Sequence, residues 1–321
     1  MNRRQMAIRK RREMIKWGLL FGRLIILIII VLCIRNIYAY LKDIQTELNQ
    51  LKIQQYGVTW RDEGEQEEED GEMGYVGSID VWDVEKPAER TEVEVLQRLK
   101  ELGETSSVIA EIARNNSLYP KELLAALANN PEMADFVAGY PDENGESGEG
   151  ITTSEMEQGF PLFLQWDPRW GYQPYGTGNC IGLAGCGPTC LSMVLFGLTR
   201  DKTLTPDEIA RYSMENGYYV EGTGTAWALM EDLPKLYGIR ATKLSLSENN
   251  MRAALDGGSM IICAMGKGDF TASGHYIVIY GYDSGGFMVN DPNCVARSSK
   301  RWTFSEIRYQ IKNIWAYSFT G

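Results

Sequence analysis

Cys186 stands in the run Gly185-Cys186-Gly187-Pro188-Thr189, and 89 residues later His275, the single histidine among 321 residues, opens the stretch Gly274-His275-Tyr276-Ile277-Val278-Ile279. Any imidazole chemistry in this chain has one address. The thiol precedes a glycine, a proline and the apolar run Cys190-Leu191-Ser192-Met193-Val194-Leu195. That pattern puts it at the mouth of a buried helix, where proline fits because the first turn needs no N–H. The unpaired N–H groups and positive dipole end at such a position favour thiolate over thiol. A nearby imidazole can take the thiol proton and later give it to a leaving amine, so nucleophilic thiol chemistry needs the pair.

Spacing supplies a third member. Tyr276 to Tyr282 and Phe287 to Asp291 read as two strands joined by the turn Asp283-Ser284-Gly285-Gly286, and such a hairpin returns Asp291 to the neighbourhood of His275. A carboxylate there holds the imidazole tautomer and stabilises imidazolium. Taken singly, each residue also has a bland reading: a buried cysteine is a small hydrophobe, a lone histidine packs at a strand start, and an aspartate beside proline makes a turn. Their order and the hairpin together favour the chemical reading.

The runs Gln165-Trp166-Asp167-Pro168-Arg169-Trp170, Gly185-Cys186-Gly187-Pro188-Thr189, Gly274-His275 and Asn290-Asp291-Pro292, in that order, resemble the bacterial papain-like cysteine peptidases of the bacteriocin-leader-processing, C39-like group. The resemblance covers residues 159–321. It implies Cys186 as nucleophile, His275 as base and then acid, and Asp291 as orienter, with the Gln165 side chain and the Cys186 N–H as donors to the oxyanion. Many papain-like enzymes carry their glutamine about six residues before the cysteine; here Cys180 holds that position and Asn179 precedes it, so Asn179 competes with Gln165 for that role.

The elements that would position these residues form an α+β domain, helices first and strands later. Thr205-Pro206-Asp207-Glu208 reads as a capping box opening a helix that ends before Gly217. Further helices are expected over 226–236 and 248–255, with strands at 260–265, 276–282, 287–290 and 314–319 and a short helix after Thr303. A nucleophile-bearing helix packed on an antiparallel sheet is the papain-like arrangement that the resemblance implies. Trp166, Trp170, Tyr172, Tyr175, Tyr218, Tyr219 and Trp227 are candidates for an aromatic peptide groove, and 266–274 reads as a mobile loop over it. No cofactor or metal is expected: Cys180, Cys186 and Cys190 lack a C-x-x-C pair and a histidine to complete a zinc site. Cys190 and Cys263 read as core, and Cys180 with Cys294 or another cysteine is a candidate disulfide.

The N-terminal half reads as an attachment and a spacer. Seven Lys or Arg fall in the first sixteen residues, forming a basic tail over 1–16 that stays cytoplasmic. A single membrane helix follows over 17–36, with Arg23 snorkelling, and the remainder is extracellular. A cleaved signal or lipid anchor would need small residues that are missing beside the apolar run. Ile37, Leu41, Ile44, Leu48 and Leu51 form a heptad seam in a helical stalk at 37–56, fitting a weak homodimer or a solvated helix alike. An acidic linker spans 57–91, with eight acids in 62–72; a small helical module is expected at 92–140 and a second linker at 141–158. The net charges of 1–35, 36–158 and 159–321 are +8, −19 and 0, so no basic surface suits nucleic acid. The sequence thus predicts a membrane-anchored, externally facing cysteine peptidase acting on a peptide or protein. The alternatives are a cell-wall peptide amidase or endopeptidase and a catalytically silent binding module.

Overall fold

Thr91 accepts the N–H of Glu94 while the Glu94 carboxylate reaches back to the Thr91 N–H, and this reciprocal cap starts α1 (Glu92–Leu102). Ser106 caps α2 (Ser107–Arg114), Pro120 precedes α3 (Lys121–Asn129), and a 3-10 turn at Pro131–Met133 leads into α4 (Ala134–Gly139). The computed structural model describes residues 75–143, 148 and 150–320. The basic tail, the membrane helix expected at 17–36, the stalk expected at 37–56 with its heptad pattern, the acidic run at 62–72 and Cys33 lie outside these. Among the described residues no helix is long and apolar enough to cross a membrane.

About fifty residues bury too little surface to stand alone easily, and the four helices share their core with the rest. Leu127, Phe136 and Val137 lie in one buried cluster with Trp166, Ile181 and Leu191. The Phe136 ring stacks on Tyr172 at 4.4 Å between centroids, and the Tyr172 hydroxyl donates to the Phe136 carbonyl at 2.8 Å. The flanking stretches differ from the spacers expected of them. Residues 75–91 are docked: Val76 is buried, Tyr75 meets the Trp166 ring edge-on, and the Asn129 side chain holds both the N–H and the carbonyl of Ala88 at 3.0 and 3.1 Å. Within 141–158, a Thr152–Glu155 capping box opens α5 (Thr153–Glu157), and buried Glu155 pairs with Arg169 at 2.7 Å. A few apolar and ion-pairing residues in each stretch are enough to fix it.

A short α6 (Ile181–Ala184) leads into α7 (Cys186–Thr199), whose residues from Gly187 to Phe196 are all buried. A helix apolar on every side belongs inside a core. Then come α8 (Pro206–Glu215), the two-stranded hairpin β1 (Tyr219–Val220) and β2 (Gly224–Thr225), α9 (Trp227–Asp232), β3 (Ile239–Lys243) and α10 (Glu248–Asp256). The Thr205 side chain makes no cap bond, so proline in the first turn starts α8 without the expected box. The helix expected over 226–236 changes after Asp232 into a 3-10 stretch, Leu233–Tyr237, since Pro234 has no N–H to continue an α-ladder.

The remaining strands are β4 (Met260–Gly266), β5 (Gly274–Asp283), β6 (Gly286–Asn290), β7 (Arg301–Trp302) and β8 (Ile311–Phe319), with α11 (Val295–Ser299) and α12 (Phe304–Ile307) around β7. They form one sheet of order β3-β8-β4-β5-β6-β7 with every neighbouring pair antiparallel. The fold is α+β. Every residue of β4 is buried, because it has a core on each face: Met260, Ile262 and Ala264 join the α7 side, while Ile261, Cys263 and Met265 join Met251 and Leu255 of α10. The edge strands β3 and β7 were not expected; of Ile-Arg-Ala-Thr-Lys in β3 only Ile239 is buried, so its pattern is faint.

A shared core predicts one cooperative transition for the described region. Phe136→Ala should cost about 3–5 kcal/mol and shift denaturant unfolding followed by tryptophan fluorescence and by far-UV circular dichroism to the same extent. Separate transitions for the two probes would mean that α1 to α4 fold on their own.

Candidate active site

Gly185 and Gly187 let the chain approach Cys186 closely. Gly185 is the N-cap of α7 and Cys186 its first residue. A side chain at Gly187 would stand 2.6 Å from the Thr225 hydroxyl oxygen, so glycine there admits the β1–β2 hairpin against the helix mouth. Pro188 follows in the first turn and Thr189 ties its hydroxyl to the Gly185 carbonyl at 2.8 Å. Cys186 keeps partial solvent access, whereas Cys190, one turn deeper, is buried and burial pushes its thiol well up.

His275 is the second residue of β5, paired across to Met265 of β4. Its Nε2 lies 2.6 Å from Asp291 Oδ1, which leaves Nδ1 as the ring nitrogen for the Cys186 side chain, a hydrogen-bond partner of this ring. The hairpin turn between β5 and β6 brings Asp291, one residue past β6, back to the histidine. Thus the structure brings Cys186, His275 and Asp291 together, in the order and with the hairpin that the sequence implied.

Asp291 is fully buried and needs compensation. Burial pushes its carboxyl up, but His275, Arg297 and the Asn293 N–H outweigh it and hold it below the usual carboxylate range. Arg297 Nη1 is 3.2 Å from Oδ2, and the Asn293 N–H donates to Oδ1 at 2.9 Å. The Asp291 N–H itself donates to the Ser298 hydroxyl at 2.8 Å. For His275, burial pulls the pKa down, but the charge and hydrogen bond of Asp291 and the Cys186 side chain overcome it, raising the pKa from 6.5 to about 9. These charges favour the protonated form of the ring.

Gln165 bridges the two sides of this site. Its N–H donates to the Pro292 carbonyl at 2.7 Å and its Nε2 to the Gly182 carbonyl at 2.9 Å, so it connects the Asp291 loop to the turn before Cys186. Its buried Oε1 has no hydrogen-bond partner among the described residues. Asn179 is occupied otherwise: its Oδ1 accepts the Cys180 N–H at 3.0 Å and its side chain bonds Tyr219. Of the aromatic groove candidates, Trp166, Trp170 and Tyr175 are core, since their polar tips find partners inside; the Trp170 indole, for one, donates to the Leu164 carbonyl at 2.7 Å. Trp227, 49% exposed, packs edge-on against the Trp315 ring. The 266–274 loop is anchored rather than loose: Phe270 is buried against Trp302, and Asp269 is held by Gln310. A cavity of about 400 Å³ lined in part by Arg169, Thr205, Tyr212 and Tyr237 includes none of Cys186, His275 and Asp291; the convergent titratable groups mark the site better than this hollow does.

Cys180, Cys186, Cys190, Cys263 and Cys294 are all free thiols, so no disulfide joins Cys180 to Cys294. Cys294 instead caps α11, its sulfur accepting the Arg297 N–H.

The profile of the Peptidase_C39 like family matches residues 157–319. The chain belongs to that family. Among solved structures, the peptidase domain of Streptococcus ComA, a bi-functional ABC transporter involved in a quorum sensing pathway, is 18% identical with a TM-score of 0.34, covering 50% of this chain and 98% of that one. A protein described as a C39-like peptidase from Bacillus anthracis is 16% identical with a TM-score of 0.33, covering 54% of this chain and 99% of that one. No curated protein matches.

Arg297 and Ser298 belong to this C39-like site although sequence reasoning passed over them. The signal was their position six and seven residues after Asp291, within reach of a loop that turns back on itself. Because the chain has a single histidine, its imidazole Hε1 resonance reports the site without ambiguity. Its titration midpoint should lie near 9 and fall toward 6.5 in Asp291→Asn, where the main raising charge is gone. Since the folded pKa exceeds the unfolded one, the stability this group adds is complete below pH 6.5 and disappears as pH rises through about 9. A wild-type midpoint near 6.5 would contradict the pairing.

Proposed function

We propose that this protein is a cysteine peptidase that hydrolyses peptide bonds with Cys186, His275 and Asp291. The observation that carries this reading is the single imidazole placed between a partly exposed thiol at a helix mouth and a buried carboxylate. In the reaction the Cys186 sulfur attacks the peptide carbonyl carbon, and the carbonyl π electrons move to oxygen. The His275 imidazolium then protonates the leaving amine as the C–N bond breaks. The resulting imidazole takes a proton from water, whose oxygen attacks the thioester. Cleavage of the C–S bond frees the acid and restores the thiolate–imidazolium pair. Asp291 stays ionised throughout and holds the ring.

For the oxyanion we assign the Cys186 N–H and the Gln165 amide. One Nε2 hydrogen is committed to Gly182, and the other is available to the developing charge, whereas Asn179 is engaged by its own loop and Tyr219. Attachment to a membrane through 17–36 with the site outside completes the proposal, on the strength of the basic tail and apolar run.

Full-length protein in detergent should cleave unfolded polypeptide, and Cys186→Ala should abolish this. Gln165→Ala should lower kcat by about 10²–10³-fold. Iodoacetamide near pH 7 should label Cys186 selectively, with that selectivity lost in His275→Ala; slow labelling equal in both would point to the silent binding module. Cleavage of soluble wall peptides with unfolded protein left intact would select the cell-wall reading. Protease added outside intact cells should remove the peptidase region but not the basic tail.

A further inference from the structure

Between α3 and α4 the chain sends two buried polar side chains into the loop that carries Asp291. Asn130, fully buried, donates from Nδ2 to the carbonyl of Asn293, the residue whose N–H is held by Asp291 Oδ1. The Trp166 indole donates to that same carbonyl at 3.0 Å. Glu132, 4% exposed, accepts the N–H of Val295 at 2.7 Å on one oxygen and that of Ala296 at 2.9 Å on the other. These are first-turn N–H groups of α11, which have no partner within their own helix. From the same helix Arg297 returns to Asp291 Oδ2, and the Cys294 side chain also meets Glu132.

A carboxylate is an expensive way to dock one helix on another, because burying it costs several kcal/mol unless it is fully bonded. Apolar contacts of the kind Phe136 and Leu127 already make would suffice for docking. Charge-assisted bonds to two successive N–H groups do something apolar contacts cannot, which is to fix the orientation of a backbone segment. That segment begins at the residue that orients His275.

We propose that Glu132, assisted by Asn130, is a positioning residue for the Cys186–His275–Asp291 site. It fixes the 291–297 loop, so that the helices before the family-matched region are part of the active-site scaffold. The activity readout of this inference rests on the peptidase reading above; its titration readout does not. A displacement of the order of 1 Å at a catalytic group costs about 100-fold in rate, and such a displacement is what a released loop would allow Asp291. The charged and titratable groups in play are Cys186 and Asp291 facing His275, Arg297 facing Asp291, Glu132 and Cys294 behind that loop, and Tyr175 and Tyr276, which feel the Cys186 charge.

The test compares full-length wild type with Glu132→Ala, Glu132→Gln and Asn130→Ala, reading kcat, KM, the melting temperature and the His275 Hε1 titration midpoint. Folded Glu132→Ala should lose about 100-fold in kcat with KM unchanged, and its midpoint should fall below that of wild type. Glu132→Gln, which keeps one acceptor oxygen, should recover part of both. A purely structural role would lower the melting temperature while leaving kcat and the midpoint unmoved, and that result would overturn the proposal. Should Glu132→Ala fail to fold, the same two readings on Glu132→Gln and Asn130→Ala decide. A midpoint that moves in a protein that cleaves nothing would sink the peptidase reading and leave the positioning role standing. Active wild type with a fixed midpoint in the variants would sink the positioning role alone.

Discussion

A carboxylate with no solvent exposure sits at the centre of this structure, and everything near it serves to keep its charge tolerable. Asp291 is 2.6 Å from the imidazole, 3.2 Å from a guanidinium and 2.9 Å from a backbone N–H. Removed from water without such partners, an ion of this kind would protonate instead. Compensated as it is, it keeps its charge and passes the benefit to His275, whose proton affinity rises despite burial. The same low-dielectric setting that makes Asp291 costly makes its pull on the ring strong.

This dependence explains the layout of the surrounding elements. The central helix α7 presents Cys186 at its mouth because the residues after it, from Gly187 to Phe196, are buried and hold the helix in the core. The β5–β6 hairpin fixes the separation of His275 and Asp291 through backbone register. Gln165 ties the loop after Asp291 to the turn before Cys186. Two strands, one helix and a single amide thus set the distances among Cys186, His275 and Asp291.

The parts of the site that were legible in the sequence are those encoded locally. Gly-Cys-Gly-Pro before an apolar run specifies a thiol at a helix start, and two short apolar runs around Asp283-Ser284-Gly285-Gly286 specify a hairpin that folds His275 and Asp291 together. What was not legible depends on partners far apart in the chain. Glu132 reaches Val295 and Ala296 across more than 160 residues, and nothing in Pro131-Glu132-Met133 marks that glutamate as buried. Likewise Asn130 and Phe136 look like punctuation and a helix stripe until Asn293 and Tyr172 stand beside them. Composition marks 57–91 and 141–158 only as linkers, and the buried Val76, Ile151 and Glu155 within them leave no periodic pattern to read. Strand β3 escaped because an edge strand with one buried residue leaves almost no alternation.

The docking of residues 75–91 bears on geometry at a larger scale. An extended chain spans at most about 3.3–3.6 Å per residue, so laying residues 75–91 along the body holds back up to roughly 55–60 Å of chain reach. Release of Tyr75 and Val76 from their seats would free that length of chain without altering a single bond around the Cys186 sulfur.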